Sequence, residues 1–559
     1  MIKVRRAICT IVAVALAVPN VLADDGADRR SRRSKLDGGL QHGAVGPVRV
    51  IIRTRPDTSA GARLRNRAGF LKAHAFINAI TLSIQADELA ELESDEDVDS
   101  VSLDVPVTSD ATAGSPSAAQ SSEDVLLGTL GLPLRGLTGK GVGVAVIDSG
   151  ITPNDDFSNG AFFDFTTPGS WSPYDDYGHG THVSGLIAGD GARTSPAARP
   201  LYRGIAPKAR IISLKVLDAH GGALTSTVLD AIEFAIANRR ALGIDVINLS
   251  LGHPILEPAA TDPLVQAVEA AVRAGIVVVV SAGNVGRNVV TGVPGYAGIL
   301  SPANAPSAIT VGAFDSKATT PRADDAVPEY SSRGPTWYDA EPKPDLVAPG
   351  QNLVSDAAPG STLFLQLPDH RVDAGGSSDR FFRLSGTSMS AAVTSGVVAL
   401  MIEANRQAQG RRLTPDAIKQ ILRYTAIPLN GYDALTQGHG GLNAAGAVAV
   451  AAAIDNETPL RCRWKDQPLA AVTTIAGEAW QWAQASAFDP RGVWGDGSTV
   501  PVWAQTIVWG NTIVWGNNTY GDTIVWGNSA GDTIVWGNNG GDTIVWGNAL
   551  VWGHSFGPQ

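Results

Sequence analysis

Five short apolar runs constrain this chain more than any other feature. Residues 141–150, 210–217, 245–251, 276–281 and 307–313 are rich in Val and Ile, and each gives way to a small or polar residue at its carboxyl end. Runs this short and this uniformly apolar read as strands buried on both faces. Between them lie helical patterns: 225–239 opens on a capping Thr, and 263–274 has Pro in its first turn and Gly275 just past its end. Strands alternating with helices predict an α/β fold, a parallel sheet with helices on both faces, whose ligand crevice runs along the carboxyl ends of the strands.

Reactive side chains gather at those ends. The run 141–150 stops abruptly at Asp148 and Gly150, as a buried strand does when it opens onto a site. Gly178-His179-Gly180-Thr181-His182-Val183-Ser184-Gly185 begins a helix of small residues that can pack closely and carries His179 at its start. Leu384-Ser385-Gly386-Thr387-Ser388-Met389-Ser390 is a polar turn opening a long small and apolar helical stretch, 391–404. Ser388 stands in the first turn, where unpaired backbone N–H groups and the positive end of the helix dipole meet developing negative charge. Each stretch alone has a structural explanation, a helix-capping serine above all. Together they put an Asp, a His and a Ser at the carboxyl ends of one sheet, a consistency that the structural explanations do not predict. His182 follows His179 by one helical turn, as in a two-His zinc site. No Glu stands beside the pair, however, and zinc would leave the Asp and Ser stretches unexplained. We therefore expect His182 to have a structural role and expect no metal.

Val-Ile-Asp-Ser-Gly, Gly-His-Gly-Thr-His-Val-Ser-Gly and Gly-Thr-Ser-Met-Ser, in that order, resemble the motifs of subtilisin-like serine peptidases, the subtilases, over about residues 123–454. The resemblance implies Ser388 as nucleophile, His179 as general base and then acid, and Asp148 as the group that orients the imidazole. It also implies that Asn284, in Ser281-Ala282-Gly283-Asn284, shares the oxyanion hole with the backbone N–H of Ser388. Ser250-Leu251-Gly252 and Gly283 are then substrate-binding, the first three pairing by backbone with an extended peptide, which confers affinity with little side-chain choice. The sequence departs from the family pattern twice. Ala392 stands where Pro is usual, permitting a more regular helical turn. The loop 190–197 lacks the Asn-rich sequence that holds a calcium ion in many relatives, so no cofactor is expected and calcium is unsupported there.

Residues 1–23 combine a basic start, an apolar stretch and a small-residue end, the pattern of a secretory signal peptide. That stretch is too short to span a bilayer comfortably, so no membrane span is expected. Of the two cysteines only Cys462 lies beyond it, which leaves no intramolecular disulfide. The net charge of -11 and the lack of a basic domain argue against a nucleic-acid partner. Residues 24–46 form a basic leader, read as disordered, with a processing site for another protease as the alternative. From 47 to 107 the expected order is a strand at 48–53, a helix at 60–73, strands at 75–84 and 98–107 and a short helix at 87–93. Placed before a subtilase domain, this resembles the family's inhibitory propeptide; an unrelated small α+β domain is the alternative. Residues 108–122 are Ala-, Ser- and Thr-rich and read as an exposed linker open to cutting.

Beyond a second linker, 455–500, residues 501–559 repeat Thr-Ile-Val-Trp-Gly-Asn or a close variant. Such units cannot bury a Trp alone but can when stacked, which predicts a small β-solenoid or hairpin array. The tail is expected to self-pack or assemble; binding to glycan or the cell envelope, or to calcium at 537–545, are alternatives. The reading as a whole is a secreted or cell-surface serine endopeptidase, made as a zymogen and acting on proteins or peptides through an acyl-enzyme. An inactive subtilase scaffold serving adhesion, or a peptide ligase or transpeptidase, are the alternatives.

Overall fold

The computed structural model describes residues 34–484 apart from 42, 44, 110–122, 134–135, 158–159, 168–172, 193–201, 288–292, 374–378, 411, 459–460 and 465–467. It also describes the strand residues 514–515, 523–527, 535–536 and 543–547. The signal-peptide stretch and all of the basic cluster but Lys35 lie outside these residues.

The first unit contains β1 (Pro47–Thr54), a helix Ala60–Arg65, β2 (Phe70–His74), β3 (Ala79–Gln85), a helix Leu89–Ser94 and β4 (Val98–Leu103). The strands pair antiparallel in the order β2-β3-β1-β4. Side chains alternate between the two faces of a strand, and this sheet uses both faces. Val50, Ile52, Leu82 and Val101 meet Leu64 and Leu92 in the unit's own core. Ile51, Ile77 and Ala79 join a different core, together with Val228 and Val265 of two later helices.

Two expectations fail here. The helix expected at 60–73 stops at Arg65 and Phe70–His74 is a strand, because Gly69 has φ +89° and a Cβ there would lie 2.1 Å from the Ser83 carbonyl oxygen. A close backbone approach to a residue on another strand leaves no mark in local periodicity. The leader is also not wholly unstructured. Leu36 bridges to Val101, Leu40 is buried, and Asp37 accepts from the Leu40 N–H at 2.8 Å.

After β5 (Pro106–Ser109) come β6 (Gly143–Asp148), β7 (Ala161–Asp164), β8 (Arg210–Lys215), β9 (Gly222–Leu224), β10 (Ile244–Leu249), β11 (Leu251–Gly252), β12 (Val277–Ser281), β13 (Ile309–Phe314) and β14 (Leu346–Pro349). Seven of them form one sheet in the order β14-β13-β12-β10-β6-β8-β7, every pair parallel. Alternation explains the two helical layers. Val144, Val146, Val246 and Val279 pack with Val183, Met389, Val397 and Ile418 on one side. Ala145, Ile147, Ile247 and Val280 pack with Val228, Ile232, Val265 and Val268 on the other. The first layer includes helices His179–Ala188 and Thr387–Gln409; the second holds Thr225–Ala237 and Pro263–Arg273. Asp262 caps the last of these, its carboxylate accepting from the Leu264 and Val265 N–H groups.

The linker expected at 108–122 begins later, since Thr108 and Ser109 belong to β5; residues 110–122 are outside the described set. The linker expected at 455–500 does not begin at 455. Ile454–Thr458 pairs with Arg461–Trp464, and Val472–Ile475 with Glu478–Gln481, as two antiparallel ladders. Trp482 is 5 % exposed in the same core as Val397, and its Nε1–H donates to Thr473 Oγ1 at 2.8 Å. The folded region therefore extends past 455 and includes Trp482. In the tail, Val514-Trp515 pairs with Val535-Trp536, and Thr523–Gly527 with Thr543–Gly547, each parallel and in register. Hairpin neighbours pair antiparallel, so these two described pairs are not hairpins. The calcium pattern at 537–545 falls largely outside the described residues.

Candidate active site

The parallel sheet brings the carboxyl ends of β6, β10 and β12 side by side, and the expected residues arrive there from each. Asp148 is the last residue of β6 and is 1 % exposed. His179 opens its helix after Gly178, whose φ of +101° suits only glycine, and it is fully buried. Both Asp148 oxygens face the ring: Oδ1 lies 2.7 Å and Oδ2 2.9 Å from His179 Nδ1. This contact favours the tautomer with the proton on Nδ1, which in the neutral ring puts the lone pair on Nε2.

Ser388 is buried in the first turn of helix Thr387–Gln409. Its Oγ–H donates to the Ser250 carbonyl oxygen at 3.4 Å, and its own carbonyl accepts from Ser250 Oγ at 3.2 Å. Asn284 follows β12 after Gly283, which has φ +106° and no room for a Cβ against Leu300. Asn284 Oδ1 accepts from the Thr387 backbone N–H at 3.0 Å and from Thr387 Oγ1 at 3.1 Å. That anchorage fixes the amide orientation and commits Nδ2 to the role of donor.

The site has supports that the sequence reading did not single out. Asp175 is buried in front of the His179 helix. It accepts from the N–H groups of Gly178 and Thr181, at 2.6 and 2.7 Å, and from the hydroxyls of Ser149 and Thr181, both at 2.7 Å. Ser149 Oγ in turn accepts from the Gly180 N–H at 2.9 Å and lies 3.2 Å from Asp148 Oδ1, which accepts from the Ser149 backbone N–H at 2.7 Å. Burial pushes the Asp175 carboxyl above the ordinary range, and the four donated bonds oppose that shift. An Asp just before a helix was the available signal. Under the serine, Ser395 Oγ donates to Asn248 Oδ1, and Asn248 Nδ2 donates to Ser250 Oγ, each at 2.9 Å. His182 has the structural role expected of it: its Nε2 lies 3.1 Å from the Leu353 carbonyl, and complete burial pushes the ring down to about 3.

Ser250, Leu251 and Gly252 lie at one edge of the cleft, and this edge is occupied. β5 sits between β11 and β9, antiparallel to both, with Ser109 opposite Leu251 and Thr108 opposite Gly252. Ser109 Oγ donates to the Tyr177 hydroxyl at 3.3 Å, and the Tyr177 ring lies 6.4 Å from that of His179.

A sequence profile described as the subtilase family matches residues 139–457. The chain belongs to the subtilase family. It is 39% identical over 319 residues to serine protease AprX of Bacillus subtilis, covering 56% of this chain and 67% of that one. It is 36% identical over 274 residues to subtilisin Savinase of Lederbergia lenta, covering 48% and 80%. Among solved structures, fervidolysin from Fervidobacterium pennivorans superposes with a TM-score of 0.56 at 20% identity, over 74% of this chain and 63% of that one, and so shares the fold. This subtilase is accordingly a subtilisin-like serine-type endopeptidase with the subtilisin-like α/β fold. Ala392 is buried within an unbroken 23-residue helix, where its N–H suits the ladder that a proline would interrupt. Of the loop read against calcium, 190–197, residues 193–197 lie outside the described residues.

Proposed function

We propose that the chain is a secreted serine endopeptidase, made as a zymogen, that cleaves protein or peptide substrates through an acyl-enzyme on Ser388. The observation that carries the reading is the buried, two-oxygen contact of Asp148 with His179 Nδ1, beside the helix Thr387–Gln409, which holds Ser388 in its first turn. Ser388 Oγ attacks the scissile carbonyl as His179 Nε2 takes its proton, and Asp148 supports the imidazolium that results. Asn284 Nδ2 and the Ser388 backbone N–H receive the oxyanion. His179 then protonates the leaving amine, and water repeats the sequence on the ester. Amine added to such a reaction should leave the hydrolysed product dominant; mostly amide product would favour peptide transfer instead.

The zymogen reading draws support from β5, which takes the place along β11 that an extended substrate would take. Residues 47–109 are thus the inhibitory segment, and cutting should fall just after it. We expect N-terminal sequencing of the mature enzyme to place the first residue within 110–123. The Ser388→Ala chain should accumulate at the longer, uncut length. A mature, active enzyme that still carries residues 47–107 covalently attached would overturn this.

The Trp repeats supply no residue type that this chemistry needs, and we assign them to self-association or attachment to the cell envelope. Truncation after Gln484 should leave kcat/KM on a short chromogenic peptide nearly unchanged. Truncation after Asp455 should instead lower the unfolding temperature by on the order of 10 °C, because it strips Trp482 from the core. If the shorter cut at Gln484 lowers kcat/KM about tenfold with the fold intact, the repeats reach the active site and the division is wrong.

A further inference from the structure

The inhibitory segment and the peptidase domain meet at a cluster of side chains remote in sequence from the catalytic residues. Helix Thr225–Ala237 carries Asp230 and Glu233 at a spacing of three, which puts both carboxylates on one face. Facing them is His74, the last residue of β2, with no exposed surface. Its Nε2 lies 2.9 Å from Thr81 Oγ1. Its Nδ1 lies 3.4 Å from Asp230 Oδ1, beyond ordinary hydrogen-bond length, and both of these buried atoms are without a hydrogen-bond partner. One ring nitrogen of His74 and one oxygen from each of Asp230 and Glu233 all lie within 4.8 Å of one another. The remaining oxygen of Asp230 is 2.6 Å from Lys72 Nζ.

We infer that His74, Asp230 and Glu233 form a binding site for a divalent transition-metal ion, zinc being the best fit, that bridges the inhibitory segment to the peptidase domain. One imidazole nitrogen with two carboxylates suits zinc or a neighbouring transition metal better than calcium or magnesium, which take oxygen alone. Three protein ligands leave a fourth, tetrahedral position for water. Thr81 supplies the outer contact that metal-bound imidazoles usually have: Nε2–H donates to its hydroxyl, which leaves the Nδ1 lone pair aimed at the carboxylates. Lys72 is about half exposed, so its ammonium can swing into solvent as the ion enters. Because one ligand comes from β2 and two from the helix beneath it, the ion binds only the docked arrangement and stabilises it by linkage. This last consequence rests on the reading of 47–109 as inhibitory; the site itself does not.

The test uses the full chain carrying Ser388→Ala, in which the segment stays attached whatever the enzyme's activity, with retention checked by intact mass. Zinc is titrated at neutral pH against a chromophoric chelator, and cobalt is added separately to read ligand geometry from its visible spectrum. The expected result is one zinc per chain, a tetrahedral cobalt spectrum, and affinity weakened at least about tenfold by either His74→Ala or Glu233→Gln. Glu233 is partly exposed, so Glu233→Gln keeps the test meaningful if His74→Ala does not fold. Absence of stoichiometric zinc, or zinc held equally well by the folded variants, means an adventitious ion only and overturns the site.

Discussion

Ser388→Ala is expected to lower kcat by roughly 10⁶ while leaving KM and the unfolding temperature close to those of the parent. The magnitude is that known for the serine of subtilisin itself and was not obtained from this geometry. What the geometry supplies is the reason the loss should be so complete if Ser388 is the nucleophile, as proposed: its Oγ stands in the first turn of a buried helix and donates to the Ser250 carbonyl. The buried neighbours Ser385 and Ser390 already have partners: Ser385 Oγ accepts from the Asn352 N–H, and Ser390 Oγ donates to the Ala348 carbonyl. Neither is placed to act in its stead. Alanine removes one oxygen and leaves the helix, its N–H groups and the oxyanion site in place, so binding should survive where chemistry does not. The comparison is made on mature protein released from the inhibitory segment by an added protease, since the variant cannot release it alone. Activity above about one per cent of the parent would refute the assignment of the nucleophile.

Asn284→Ala should cost about 10² to 10³ in kcat with little change in KM, again the size of effect known for the corresponding donor of subtilisin. Nδ2 is aimed by the two hydrogen bonds that Thr387 donates to Oδ1, so the amide is already oriented before charge develops on the carbonyl oxygen. A donor held in this way stabilises the transition state more than the bound substrate, and its loss appears in kcat. Part of the measured cost will come from the Thr387 N–H, which loses its acceptor. Thr387→Val keeps the backbone donor to Oδ1 and removes the hydroxyl, with the bond that it accepts from the Gly283 N–H, and should cost less than Asn284→Ala. A rise in KM with kcat unchanged would mean that Asn284 binds substrate without assisting the reaction.

The parts of the site that the sequence disclosed are those in which one residue does its work from the end of its own element. Asp148 ends a strand, His179 and Ser388 each open a helix, and Asn284 follows a strand through a glycine. Local pattern locates such ends, and the chain order of the motifs then pointed to one family. The supports were harder to see, because each depends on a partner far away in sequence. Ser395 matters only because its helix crosses β10 at Asn248, and Asp175 only because Ser149 approaches it from β6. The same limit explains the errors in the fold. Phe70–His74 reads as helix until Ser83 is found packed against Gly69, and Trp482 reads as linker until Thr473 and the core around Val397 are in view. The repetition announced short strands in the tail, whereas their parallel pairing needed the register of Trp526 on Trp546.

The central claim, that Ser388 is an activated nucleophile, is tested most directly by labelling the mature enzyme with a fluorophosphonate and mapping the adduct by mass spectrometry. One adduct per chain is expected, on Ser388, formed rapidly in the parent and hardly at all in His179→Ala. A folded, mature enzyme that stays unlabelled, or that carries its adduct on another residue, would contradict it.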